Sequence, residues 1–221
     1  MSNLGDAKTD VSQCCICTEM LTRTFPLQYR GYSNTRSRIC VETPRFVAWP
    51  SLSPLAAGHM LVFPKVHVPN LLRLRQDEFT ELTGLLKTLA RHIESRFGRL
   101  LLFERGITQS EGTACGIDHA HFHLLPLSAG LIDKVLSQVK RDFEVQSNNS
   151  LSGLRFHHSG ELPYLIIGES LESLQFIVSS EVPSQYVRQI VSRAGSLERW
   201  DWKALTNQEG FQRSLEAFGL T

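Results

Sequence analysis

Between Gln76 and Phe97 the apolar residues Phe79, Leu82, Leu86, Leu89, Ile93 and Phe97 recur at steps of three and four. That spacing lines one face of an α-helix of about six turns, and Gly98 is placed to stop it. On either side the pattern shortens to runs of a few apolar, β-branched or aromatic residues bounded by Pro, Gly and Ser. These are "SRICVE" (37–42), "RFVAW" (45–49), "HMLVFP" (59–64), "LLLFE" (100–104) and Ile117 to Leu125. They are predicted strands, with a Gly-rich loop from Gly106 to Gly116 before the last of them. Residues 37–127 therefore predict an antiparallel, strand-rich sheet with one long crossover helix, an α+β plan.

Past residue 130 the order is a helix at 131–144, a polar loop "QSNNSLSG", strands near 163–167 and 174–178, and a helix "PSQYVRQIVSRAG" opened by Pro183. In that last helix Val187, Ile190 and Val191 form the apolar stripe and Arg188 and Arg193 fall outside it. This predicts a smaller C-terminal α+β unit over 130–221 packed onto a main domain of 14–129, with 1–13 as a polar tail. Trp200 and Trp202 in "RWDWK" could stack on a base, but a packing role is the stronger reading.

Composition narrows the function classes. Lys plus Arg (23) nearly cancels Asp plus Glu (22) over 221 residues, so there is no global field to gather nucleic acid or a membrane surface. No apolar run approaches the roughly 20 residues of a bilayer span, and the first residues lack a secretory hydrophobic core, so a cytoplasmic location is expected. Five cysteines, three of them in "CCIC", favour thiolate or metal chemistry over a disulfide framework.

The densest chemistry is "GIDHAHFHLLP" (116–126). On a strand, His119, His121 and His123 project to one side about 7 Å apart. They are either separately satisfied core histidines or a working row. In a row, one neutral imidazole attacks an electrophile while its neighbours bind the oxygens of the group attacked. Cys14 and Cys17, spaced C-x-x-C, form half of a tetrahedral metal site. Lys65 and Arg105 each read as phosphate ligand or surface charge, and for Arg105 a solvated pair with Glu104 is the plainer reading.

The stretches "GHMLVFPKVHV" (58–68) and "HAHFHLLP" (119–126), in that order with a helix and a strand between them, resemble the histidine triad (HIT) superfamily of nucleotidyl hydrolases and transferases. The resemblance covers about residues 14–127. It implies a HIT-like fold, with His121 as the nucleophile that takes up a nucleoside monophosphate. His123 would contact the same phosphate, His59 would stand near it, and His119 would complete the triad. By the same resemblance His67 and His119 complete a Cys₂His₂ zinc site with Cys14 and Cys17, a closed structural site.

Two departures concern substrate. Cys115 and Gly116 stand where many relatives carry Gln followed by Ser or Thr, so the side-chain donors of those two positions are missing and Gly116 offers its backbone N–H in their place. Ser51 stands where relatives carry an acidic residue for the ribose. The expected activity is hydrolysis or transfer on AMP-linked substrates such as dinucleoside polyphosphates or phosphoramidates. The alternative is a nucleotide-binding regulatory protein with little turnover. Small relatives commonly form homodimers, and the C-terminal residues here could occupy that same surface.

Overall fold

The computed structural model describes residues 14–24, 37–108, 118–197, 200–204 and 207–220. The predicted polar tail, the Gly-rich loop and both Cys115 and Gly116 lie outside or largely outside these residues. Eight strands form one antiparallel sheet: β1 (Val41–Glu42), β2 (Phe46–Pro50), β3 (Met60–Pro64), β4 (Leu100–Gly106), β5 (Phe122–Pro126), β6 (Ser147–Asn149), β7 (Tyr164–Ser170) and β8 (Ser173–Val178). Their order across the sheet is β1-β2-β3-β5-β4-β7-β8-β6. Among the described residues no helix is long and apolar enough to cross a membrane.

Strand alternation sorts the side chains by number. Even positions, including Phe46, Met60, Val62, Leu102, Phe122, Leu124, Ile166 and Phe176, share one face and one core. That face is covered by α2 (Gln76–Phe97), which lays down Phe79, Leu82, Leu86, Leu89 and Ile93 as its periodicity requires. Each such fully buried side chain contributes roughly 1.5–3 kcal/mol of transfer free energy, as an upper estimate. The helix starts where the Glu78 carboxylate accepts the Arg75 N–H at 2.9 Å, half of a capping box. It ends at Gly98, whose φ of +94° only glycine adopts readily.

Odd positions face the other way and meet two separate coverings. Helix α1 (Cys15–Thr22) lies with Val47, Trp49, Leu61 and Phe63. Helices α3 (Ala129–Asp142) and α5 (Tyr186–Ala194) cover Leu101, Phe103, Leu125, Leu165, Ile167 and Ile177. Between the two coverings the odd face opens into a cavity.

The expected C-terminal α+β extension is present, and it joins the same sheet, with β7 pairing with β4 from Leu102↔Gly168 to Gly106↔Tyr164. Two expectations are corrected. The polar loop "QSNNSLSG" holds β6 and the start of α4 (Leu151–His157). Ser150 caps α4 by accepting the Gly153 N–H at 3.1 Å, the turn chemistry that makes a polar stretch a helix start. Finally, β5 begins at Phe122 rather than near residue 117; Ala120 donates its N–H to Val68 O at 2.8 Å, so the chain around His119 leaves the ladder before the strand begins. The last helix, α6 (Gln208–Glu216), was not expected at all.

Candidate active site and metal centre

The triad residues are held in three different environments. His119 is buried, and its Nε2–H donates to the Pro64 carbonyl at 2.7 Å. Its Nδ1 lone pair is therefore turned toward Cys14 Sγ at 3.6 Å and Cys17 Sγ at 3.4 Å. His67 Nδ1 lies 3.4 Å from Cys17 Sγ. The donor atoms of Cys14, Cys17, His67 and His119 all lie within 4.8 Å of one another.

That donor set fits a tetrahedral metal ion. For Zn–S of about 2.3 Å and Zn–N of about 2.0 Å, the sulfur–nitrogen edge of a tetrahedron is about 3.5 Å, which is the separation found. Supporting groups are in place too: Pro64 O fixes the His119 tautomer, and an Asp118 oxygen stands 4.0 Å from His67 Nε2. Cys14 is the N-cap of α1 and accepts the Cys17 N–H at 3.5 Å. Burial, followed by the adjacent Cys14, pushes the Cys17 thiol up to about 12, so two thiolates side by side here need a cation to share. With both nitrogens of His119 engaged in this cluster and its support, His119 is left without a donor or acceptor for substrate.

His121 is placed differently. Its Nδ1–H donates to the His119 carbonyl at 2.8 Å, so Nε2 carries the free lone pair. The ring stacks on Phe63 at 5.4 Å and stands 4.8 Å from the His123 ring. Burial holds His121 below the usual imidazole range, which keeps it neutral near pH 7.

His123 stacks on Phe103 at 4.1 Å and shares a 3.0 Å hydrogen bond with His59 Nε2 through Nδ1. The proton on that bond can be assigned. Leu55 N–H donates to His59 Nδ1 at 3.4 Å, so His59 carries its proton on Nε2 and gives it to His123 Nδ1. His123 in turn keeps Nε2–H as a donor. Burial holds both rings well below the usual range.

His59 was expected beside the phosphate. It is completely buried and stands behind His123 without lining the cavity. Gly58 fixes its entry: φ is +83°, and a Cβ there would meet the Phe97 ring at 2.5 Å. The Gly58 N–H donates to Ser214 Oγ of α6 at 2.8 Å.

The cavity is lined by His119, His121 and His123, by Ser51 and Arg105, and by Gln185, Tyr186, Val187, Arg188 and Trp202 from the C-terminal residues. Lys65 is not among them; it is exposed and pairs with Glu42 at 2.7 Å. The expected Glu104–Arg105 surface pair does not form, because alternation sends the two side chains to opposite faces of β4. Glu104 is buried on the α2 side, accepting the Leu71 N–H and the Tyr164 O–H, each at 2.8 Å. Arg105 donates Nε and Nη2 to Val182 O at 3.1 and 2.9 Å, and its buried Nη1 has no partner among the described residues. Trp202, whose packing role was the stronger reading, is at the cavity wall.

The site thus sets a neutral imidazole with Nε2 unengaged at the cavity wall, next to an imidazole N–H donor and beside two thiols and two imidazoles that could hold a metal ion. Residues 33–130 match the HIT domain; an N-terminal Cys-x-x-Cys precedes the match and further strands and helices follow it. It is 27% identical over 116 residues to a bis(5′-adenosyl)-triphosphatase of Dictyostelium discoideum, covering 51% of this chain and 76% of that one. It is 30% identical over 86 residues to an adenosine 5′-monophosphoramidase of Saccharomyces cerevisiae, covering 39% of this chain and 51% of that one. Among solved structures, a hypothetical histidine triad nucleotide-binding protein from Sulfolobus tokodaii aligns at 26% identity with a TM-score of 0.42, covering 53% of this chain and 70% of that one. The chain spans between 25% and 76% of the curated relatives it matches.

Proposed function

We propose that the protein is a HIT-type nucleotide phosphohydrolase or nucleotidyltransferase that acts on AMP-linked substrates through His121. The observation that carries this reading is the Nδ1–H of His121 bonded to the His119 carbonyl at 2.8 Å, which turns the Nε2 lone pair into the cavity. Attack of Nε2 on the α-phosphorus forms a P–N bond as the bond from phosphorus to the leaving group breaks. The departing group takes up a proton from solvent water, and the positive charge gained by the imidazole is shared with the His119 carbonyl through Nδ1–H. Water or another acceptor then attacks the same phosphorus, releasing the nucleotide and restoring neutral His121. His123 supplies its Nε2–H to the phosphate oxygens, and His59 holds it in that tautomer as a positioning residue.

In this reading Ser51 faces the ribose, Arg105 offers a partnerless N–H to a further phosphate, and Gly116 offers its backbone N–H. Zinc is the ion for Cys14, Cys17, His67 and His119. Held by these four residues, it would tie α1 to the segment leading into β5 and serve as a structural ion with no part in the chemistry.

The test compares wild type with His121→Ala on adenosine 5′-phosphoramidate and a dinucleoside polyphosphate. Wild type should release AMP and form a nucleotidyl adduct recoverable by rapid quench, while the variant binds AMP without turnover. Equal AMP release by both proteins, or none by wild type, would sink the proposal.

A further inference from the structure

Helix α5 brings one charged side chain into the cavity, and nothing in the sequence pattern announced it. Arg188 is only 5% exposed. Nε donates to Trp200 O at 2.7 Å and Nη2 to Ser53 O at 2.9 Å, so two carbonyls from separate loops clamp the guanidinium in place. Among the described residues no carboxylate lies within ion-pair distance of it. Asp201, which acts on it from further off, is committed to Gln185 Nε2 and the Lys203 N–H at 2.9 and 3.0 Å.

Arg38, in the wall of the same cavity, shows what a compensated buried arginine looks like here. It makes a two-pronged pair with Glu19 at 2.7 and 2.8 Å. Burial pulls Arg188 down to about 10, the mark of a cation whose counter-charge is not supplied by the protein. Among the described residues that line the cavity, Arg38, Arg105 and Arg188 stand against the one carboxylate of Glu19, two guanidinium charges in excess.

We infer that Arg188 is a phosphate-binding residue of this site: clamped by Trp200 O and Ser53 O, its remaining N–H donors take an oxygen of the phosphoryl group beside His121 and His123. The ligand class is a phosphate ester or anhydride whose roughly two negative charges match Arg188 and Arg105. The inference deepens the proposed function and rests on that reading for the nucleoside, though not for the phosphate. It gives the C-terminal strands and α5 a direct part in the site.

The test measures binding of AMP, adenosine and inorganic pyrophosphate to the full chain by calorimetry, for wild type, Arg188→Met and Arg188→Lys. Unfolding midpoints without ligand check that the variants are folded. A charge-assisted hydrogen bond makes AMP binding weaker by about 10- to 100-fold in Arg188→Met, with adenosine unchanged. Arg188→Lys, which keeps the charge and loses the fork, should fall between. The inference is overturned if folded Arg188→Met or Arg188→Lys keeps the wild-type preference for AMP over adenosine, or if wild type binds none of the anions. If wild type binds pyrophosphate but neither nucleotide ligand, and Arg188→Met loses the pyrophosphate, Arg188 stands and the nucleotide reading fails.

Discussion

Glu104 offers a quantitative test of how the sheet is built. Its carboxyl is buried between β4 and the turn at Leu71, and burial pushes it up to about 8 from an ordinary value of 4.5. The hydrogen bonds from Leu71 N–H and Tyr164 O–H pull the other way and only partly offset this. An unfolded chain ionises this group above pH 4.5 while the folded chain keeps it protonated to about pH 8. Across that window the folded state binds more protons, so stability falls as pH rises, by about 1.4 kcal/mol per pH unit and about 5 kcal/mol in all. The buried neutral histidines have the opposite effect at low pH: their folded values are depressed, so stability is lost as pH falls below the unfolded value. The two contributions are separated by comparing wild type with Glu104→Gln, a neutral stand-in of the same shape, because the histidine contribution cancels in the difference. Urea unfolding at several pH values between about 5.5 and 7.5 should show the gap moving in the variant's favour by about 1.4 kcal/mol per pH unit. A gap that does not change with pH refutes the buried protonated carboxyl.

Glu19→Ala removes the two charge-assisted hydrogen bonds that the buried Arg38 makes with this carboxylate and should destabilise the protein by about 2–3 kcal/mol in the same unfolding assay; a loss under 1 kcal/mol contradicts the pair's burial. Cys17→Ser should remove stoichiometric zinc from purified protein, measured by atomic emission, and lower the unfolding midpoint; chelation of wild type should lower it likewise. His59→Phe removes the donor that fixes His123 and should reduce kcat on the order of 100-fold. KM should stay close to wild type, with partial rescue in His59→Gln, which retains an N–H near the Nε2 position. A purely structural His59 would instead move the unfolding midpoint of both variants and leave kcat per folded molecule unchanged.

Where one element's own periodicity decides its structure, the sequence was legible. The α2 stripe and the Gly98 stop follow from steps of three and four, and β2, β3 and β4 from short apolar runs. What failed was long-range. Nothing in "LPYLIIGES" says that this strand pairs with β4 and lengthens the first sheet, since strand pairing is a choice among distant partners. His119 was read as lying within a strand from Ile117 to Leu125; its ring is drawn instead to Cys14, Cys17 and the Pro64 carbonyl, and these contacts are set by chain segments far apart. The Glu104–Arg105 pairing, by contrast, could have been rejected from the sequence alone. A period of two on β4 puts neighbours on opposite faces, and that reading separates a buried acid from a cavity arginine.

Arg188 was the hardest residue to read, and the reason lies in the architecture. An arginine beside an apolar helical stripe normally lies along the surface with its charge in water. Here the odd face of the sheet is covered by α1 on one side and by α3 with α5 on the other, and the cavity between them is where the side chain at position 188 arrives. Only the union of the two coverings makes that position interior. The same union explains why the even face carries no candidate chemistry beyond a buried carboxyl: α2 closes it with one continuous apolar stripe. The site therefore belongs to the seam in the odd face. One wall of that seam carries the Cys-x-x-Cys helix, the other carries Arg188, and β5 carries His123 between them.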